Sequence, residues 1–132
     1  MAVKRNTKQR SAVLETIQQA ERPLSLPEIL SRAKKTAPSI GQATIYRTLK
    51  ELNVAGQLSA VQLAGQPTRY EPADREHHHH FHCKACGKVF DLPGCLPKLV
   101  TLLPKGFKME SHDVTLHGRC RHCSIKQPAA PR

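Results

Sequence analysis

Gly41-Gln-Ala-Thr-Ile-Tyr-Arg-Thr-Leu-Lys-Glu-Leu-Asn-Val-Ala-Gly56 is the stretch whose reading decides the fold. At 100° per residue, Ile45, Leu49 and Leu52 share one helical face, while Ala43, Tyr46, Arg47 and Lys50 share the opposite one. Such a helix packs its apolar side on a core and turns cations and an aromatic ring outward. Ser39-Ile-Gly-Gln42 has capping-box spacing and is read as the helix start, with Gly56 ending it. Downstream, Leu58 to Leu63 and Thr68 to Glu71 flank the turn Ala64-Gly-Gln-Pro67, the pattern of a β-hairpin. Upstream, Arg10 to Ala20 carries Val13, Leu14, Ile17 and Ala20 on one stripe. A second capping box, Ser25-Leu-Pro-Glu28, precedes Leu26, Ile29, Leu30 and Ala33 at helical period. Three helices followed by a hairpin is the element order of a winged helix.

In that architecture the third helix is the natural reader of DNA. Arg47 can donate two hydrogen bonds to a guanine edge or grip a phosphate, and Tyr46 and Ala43 can lie against thymine methyls. Lys50 extends the same face. Lys4, Arg5, Lys8 and Arg10 are read as a basic arm for phosphates or the minor groove. The plain alternative is that Arg47 and Lys50 are a solvated helix face. Net charge weighs on the other side. The chain has 132 residues and a formal charge of +11, split as +6 before residue 76 and +5 from there on. A spread basic excess favours a polyanionic partner, double-stranded DNA above all. There is no apolar run that could span a bilayer and no secretory signal behind the basic N-terminus, so a cytoplasmic location and no membrane partner are expected.

Pro72-Ala-Asp-Arg-Glu76 is polar and aperiodic and reads as a hinge (72–76) between a DNA-binding domain (1–71) and a second domain (77–125). Residues 77–91 and 107–119 are expected to be extended, Leu96 to Leu103 to form a short helix, and 126–132 to be a disordered tail. A body of roughly 50 residues buries too little apolar surface to stand alone and needs a metal, a partner subunit or both. All five cysteines lie in it, and two CxxC pairs, Cys83/Cys86 and Cys120/Cys123, are separated by 33 residues. Two such turns complete a tetrahedral S₄ shell, the preference of structural Zn²⁺. A closed shell leaves no position for substrate, and no HExxH motif is present, so the expectation is a binding protein and not an enzyme. Unrelated free or redox thiols are the alternative.

His77-His-His-His80-Phe81-His82 leads directly into the first CxxC. On a strand, His78, His80 and His82 face one way and His77 and His79 the other, so one strand can serve two metal sites. Glu71, Asp91, His112 and His117 are further ligands of suitable type. A solvated histidine-rich loop and a metal buffer or chaperone are the competing readings; the latter has no use for a basic helical half.

The combination of Ala43-Thr-Ile-Tyr-Arg47, Arg69-Tyr-Glu71, His77 to Gly87, Ser111-His112 and Gly118-Arg-Cys120 with Cys123 resembles the ferric uptake regulator (Fur) family over residues 7–124. The resemblance implies an α+β protein: an N-terminal winged helix followed by a small α/β dimerisation domain with a structural zinc. It implies a homodimeric repressor that binds a palindromic, AT-rich operator when metallated and controls metal-homeostasis genes. It also implies a regulatory site of Glu71, His78, His80 and Asp91, and a second site in some members using His77, His79 and His112. Two departures matter. No histidine precedes the second helix in Glu21-Arg-Pro-Leu-Ser25, and no glutamate is evident for the second site. Cys95, after the turn Pro93-Gly94, is read as its replacement, giving an S₁N₃ shell; a small buried residue at a helix start is the alternative. The cysteine favours Zn²⁺ as the sensed metal, with an iron- or peroxide-responsive member as the alternative; His/carboxylate shells admit Fe²⁺ and Mn²⁺ as well.

Overall fold

The computed structural model describes residues 2–126, with side chains from Thr7 to Ile125. The side chains of Lys4 and Arg5, and residues 127–132 of the expected tail, lie outside the described residues. The chain divides into two compact units, Met1–Arg75 and Glu76–Arg132.

The first unit holds α1 (Ala2–Gln19), β1 (Leu24–Ser25), α2 (Leu26–Ala33), α3 (Gln42–Val54), β2 (Leu58–Val61) and β3 (Arg69–Pro72). Val13 and Ile17 of α1, Ile29 of α2 and Ile45, Leu49 and Leu52 of α3 meet Leu24 and Ile40 in one cluster closed to solvent. The 3.6-residue period of each helix therefore has a direct physical outcome: three apolar stripes bury one another. β2 and β3 pair antiparallel, Val61 opposite Arg69 and Leu58 opposite Pro72. Leu24 and Ser25 add a third strand to β3, so the wing is a sheet of order β1-β3-β2. Two residues are too few to show any periodicity, which is why β1 is invisible in the sequence.

Two expectations for this unit need correction. The basic stretch expected to be an arm is the opening of α1, because residues 2–19 contain neither Gly nor Pro and nothing stops the helix before residue 10. The third helix starts at Gln42, with Gly41 as its N-cap in place of Ser39, because Ile40 is drawn into the core and turns the chain just before the helix. The Ser25 box forms as expected: the Ser25 amide donates to Glu28 Oε1 at 3.1 Å.

The second unit holds β4 (His78–Cys83), β5 (Val89–Pro93), a 3-10 turn (Leu99–Leu102), β6 (Thr115–Gly118) and α4 (Arg121–Lys126). β4 is the central strand, antiparallel to β5 and parallel to β6. β5 and β6 flank β4 and run opposite to each other, so residues 94–114 carry the chain from one edge of the sheet to the other past the end where β4 begins. That connection has less regular structure than expected: the helix read over Leu96 to Leu103 is only the 3-10 turn, and of 107–119 only Thr115–Gly118 is strand. Pro97 and Pro104 bracket the turn and leave no room for a longer ladder of helical bonds. α4, unforeseen in the sequence, runs directly from the second CxxC. Among the described residues of this unit, the buried ones are Cys83, Val89, Cys123, His79 and His82. One valine is no apolar core, and the stability must come from elsewhere.

Candidate metal centres and nucleic-acid interface

The four paired cysteines converge. One ligand atom from each of Cys83, Cys86, Cys120 and Cys123 lies within 4.8 Å of the others, and Cys86 Sγ stands 3.9 Å from Cys120 Sγ. Sulfurs about 2.3 Å from one ion in a tetrahedron stand roughly 3.8 Å apart, so the spacing fits a single Zn²⁺. Gly87 closes the first turn at φ 79°, a backbone state that glycine enters without strain. Burial would push the Cys83 thiol up, but the Cys86 and Cys120 amides donate to its sulfur at 3.4 and 3.3 Å and bring it down to about 6. Cys123 is driven the other way, to about 12, by burial and by the crowding of the neighbouring thiols. Four thiols thus cannot all ionise by themselves, and a divalent cation is the natural compensation.

Strand alternation sorts the histidines as the period of two requires. On one face, His80 Nε2 lies 3.5 Å and His78 Nε2 3.7 Å from Asp91 Oδ1, with Asp91 directly across the ladder from His80. His78 Nδ1 donates to the Glu76 carbonyl at 2.7 Å. A carbonyl can only accept, so the neutral ring keeps its lone pair on Nε2, facing the carboxylate. Glu71 belongs to the other unit, where it sits on β3 with 5% exposure. His82, two residues further along β4, makes a pair with His117 on β6, Nδ1 to Nδ1 3.3 Å.

The other face brings together His77, His79, Cys95 and His112, with one ligand atom each within 4.8 Å. Cys95 Sγ is 2.8 Å from His112 Nε2 and 3.4 Å from His79 Nε2, and His77 Nε2 is 2.9 Å from His112 Nε2. Cys95 is exposed, so the alternative of a buried apolar cysteine is not what the structure places here. Burial, and then the neighbouring imidazoles of His77 and His112, lower the basicity of His79. The Val114 amide donates to His79 Nδ1 at 3.2 Å, which puts the neutral ring's proton on Nε2; a metal bound there has to displace it.

In the first unit, Ala43, Tyr46, Arg47 and Lys50 are all exposed while Ile45, Thr48 and Leu49 between them are buried. Tyr46 is 53% exposed, and Lys50 Nζ stands 5.7 Å from its ring centroid. Arg10 pairs with Glu51 of α3 at 3.0 Å, and Lys8 is exposed. In the stretch before α2, which holds no histidine, Arg22 bonds Glu28. Burial opposes ionisation of Glu28, yet the bonds from Arg22 and Ser25 prevail and hold its carboxyl below the usual range. A guanidinium has no lone pair to give a metal, so this position adds no ligand.

The model of the ferric uptake regulator family matches residues 2–117. The ferric uptake regulation protein of Campylobacter jejuni is 31% identical over 123 residues, covering 89% of this chain and 78% of that protein. The Helicobacter pylori ferric uptake regulator Fur, whose structure reveals three functional metal binding sites, superposes with a TM-score of 0.70 at 27% identity, covering 94% of this chain and 87% of that one. A zinc-bound manganese uptake regulator gives 0.74 at 26% identity, covering 90% and 95%. These relatives are transcription regulators and not enzymes, and among the described residues no helix is long and apolar enough to cross a membrane. With the winged helix, the four converging thiols and the two histidine clusters, these matches establish that the chain belongs to the ferric uptake regulator family of metal-responsive transcription regulators.

Proposed function

We propose that this protein is a zinc-responsive repressor: a homodimer that binds a palindromic, AT-rich operator when metallated and controls metal-homeostasis genes. The observation that carries the choice of zinc is the Cys95 sulfur held among three imidazoles, 2.8 Å from His112. Thiolate with imidazole is a donor set that favours Zn²⁺ over Fe²⁺ and Mn²⁺. In this reading Cys83, Cys86, Cys120 and Cys123 hold a structural zinc. His78, His80 and Asp91 form the regulatory site, joined on the family resemblance by Glu71. His77, His79, Cys95 and His112 take a further zinc. Residues 72–76 act as the hinge between the DNA-binding domain (1–71) and the metal-binding domain (77–125). Leu116 and Ile125 are large, apolar and exposed on a unit with almost no core, which supports a second copy of the chain as the dimer partner.

The iron-responsive reading is favoured by one observation, the match to a ferric uptake regulation protein. A reporter driven by the protein's own operator separates the two. Zinc depletion of the cells is expected to relieve repression while iron depletion leaves it in place. Relief by iron depletion alone would overturn the zinc assignment.

For DNA, Ala43, Tyr46, Arg47 and Lys50 are assigned the base-reading face, with Lys8 on the phosphates and Lys4, Arg5 and Arg10 beside it on α1. Arg47→Ala is expected to cost about 1–3 kcal/mol of operator binding and to relax preference over random sequence. Lys8→Ala should weaken all sequences alike and reduce the salt slope by about one ion. Competition binding at two salt concentrations checks both; an Arg47→Ala protein with unchanged sequence preference would remove α3 as the reader.

A further inference from the structure

Resting on the reading that His77, His79, Cys95 and His112 take a metal, we propose that this site is a clasp that orders residues 96–111. The topology makes it one. Cys95 lies just past the end of β5 and His112 just before β6, the two outer strands of the sheet. His77 immediately precedes the central strand β4 and His79 is its second residue. The four ligands therefore join the exit of one outer strand, the entry of the other and the strand between them. Everything from 96 to 111 is a loop whose two ends meet at one point.

Little else holds that loop. Among the described residues, its backbone hydrogen bonds stay within it: Thr101 N–H to the Lys98 carbonyl, Leu103 N–H to the Val100 carbonyl and Phe107 N–H to the Pro104 carbonyl. Leu96, Val100, Leu102, Phe107 and Met109 are all exposed and Leu99 and Leu103 only half-buried, so burial within the chain pins it weakly. Without an ion, the ends meet through hydrogen bonds of Cys95 and His77 to His112, groups that water can replace. A segment with few buried contacts opens locally at small cost. A metal bound to both Cys95 and His112 removes every opening that separates the ends, as a crosslink does, and releases the thiol proton on entry. The apolar residues carried by the loop then hold a defined arrangement only when metal is present.

Cobalt is the probe, added to the full chain with zinc retained on the four paired cysteines. Its binding at this cluster is expected to produce a thiolate charge-transfer band. It should also slow amide exchange across 96–111 by up to about 100-fold, the scale of a crosslink closing a loop of this length. Cys95→Ser should lose the band and the slowing together. His80→Ala, altered on the opposite face of β4, should keep both. If no thiolate band accompanies cobalt beyond the four-cysteine site, the metal reading of this cluster fails and the clasp with it. A band with unchanged exchange, or the same slowing in Cys95→Ser, leaves a metal site that is no clasp.

Discussion

A Cys83→Ser protein is expected to lose its zinc and, with it, the fold of residues 76–126. Cys83 is the best-held of the four sulfurs, fully buried and receiving two backbone N–H bonds. A hydroxyl cannot replace it as a soft ligand. The free energy at stake is large, since a structural zinc contributes on the order of 10–16 kcal/mol of apparent binding energy that is also folding energy. A unit whose buried apolar side chains, among the described residues, are Val89, Cys83 and Cys123 has no reserve against that loss. The first unit has its own core of Ile17, Leu24, Ile29, Ile45, Leu49 and Leu52 and should keep its helices. The expected result is therefore a half-folded monomer, seen as one zinc fewer per chain, a helical signal that still melts cooperatively, and a single-chain mass in sedimentation. Cys95→Ser serves as the control and should keep that zinc. A Cys83→Ser chain that remains dimeric, folded and DNA-binding would show that the four thiols are not a structural site.

The second large effect is expected from His80→Ala. His80 faces Asp91 across the β4–β5 ladder, and its loss leaves His78 and the carboxylate unable to close a shell within this unit. Metal can alter DNA affinity only through a differential affinity for two states, and such couplings run from about 5- to 150-fold. The variant should bind the operator at the metal-free level at every metal concentration while retaining the zinc of the four cysteines. Coupling is reciprocal, so operator DNA should tighten metal binding in the unaltered chain and leave it unchanged in the variant. Calorimetric titration of metal with and without DNA measures both directions. A normal metal response in His80→Ala would place the sensor elsewhere.

The division between what was readable and what was not follows from the range of the forces involved. Helical periodicity is local, and α2 and α3 with their apolar faces were legible in the order of residues. So were the CxxC pairs and the alternation that splits His78 and His80 from His77 and His79, because a strand has a period of two wherever it lies. Helix starts were less legible: the capping box at Ser25 formed, but the one at Ser39 lost to burial of Ile40. The first turns of α1 looked like an arm only because charge was read before helix propensity.

Tertiary structure decided everything that depends on residues far apart in the chain meeting. β1 exists because β3 offers it an edge. β5 ends and β6 begins on either side of the start of β4, which makes 94–114 a loop past one end of the sheet and brings His112 and Cys95 to one point. The pairing of β4 with β6 sets His82 against His117, which alternation alone could not foresee. Sequence by itself determined which residue types are available as ligands and which way each points from its own strand. Which of them share an ion is a matter of strand order, and strand order is chosen by long-range pairing and burial that no local period records.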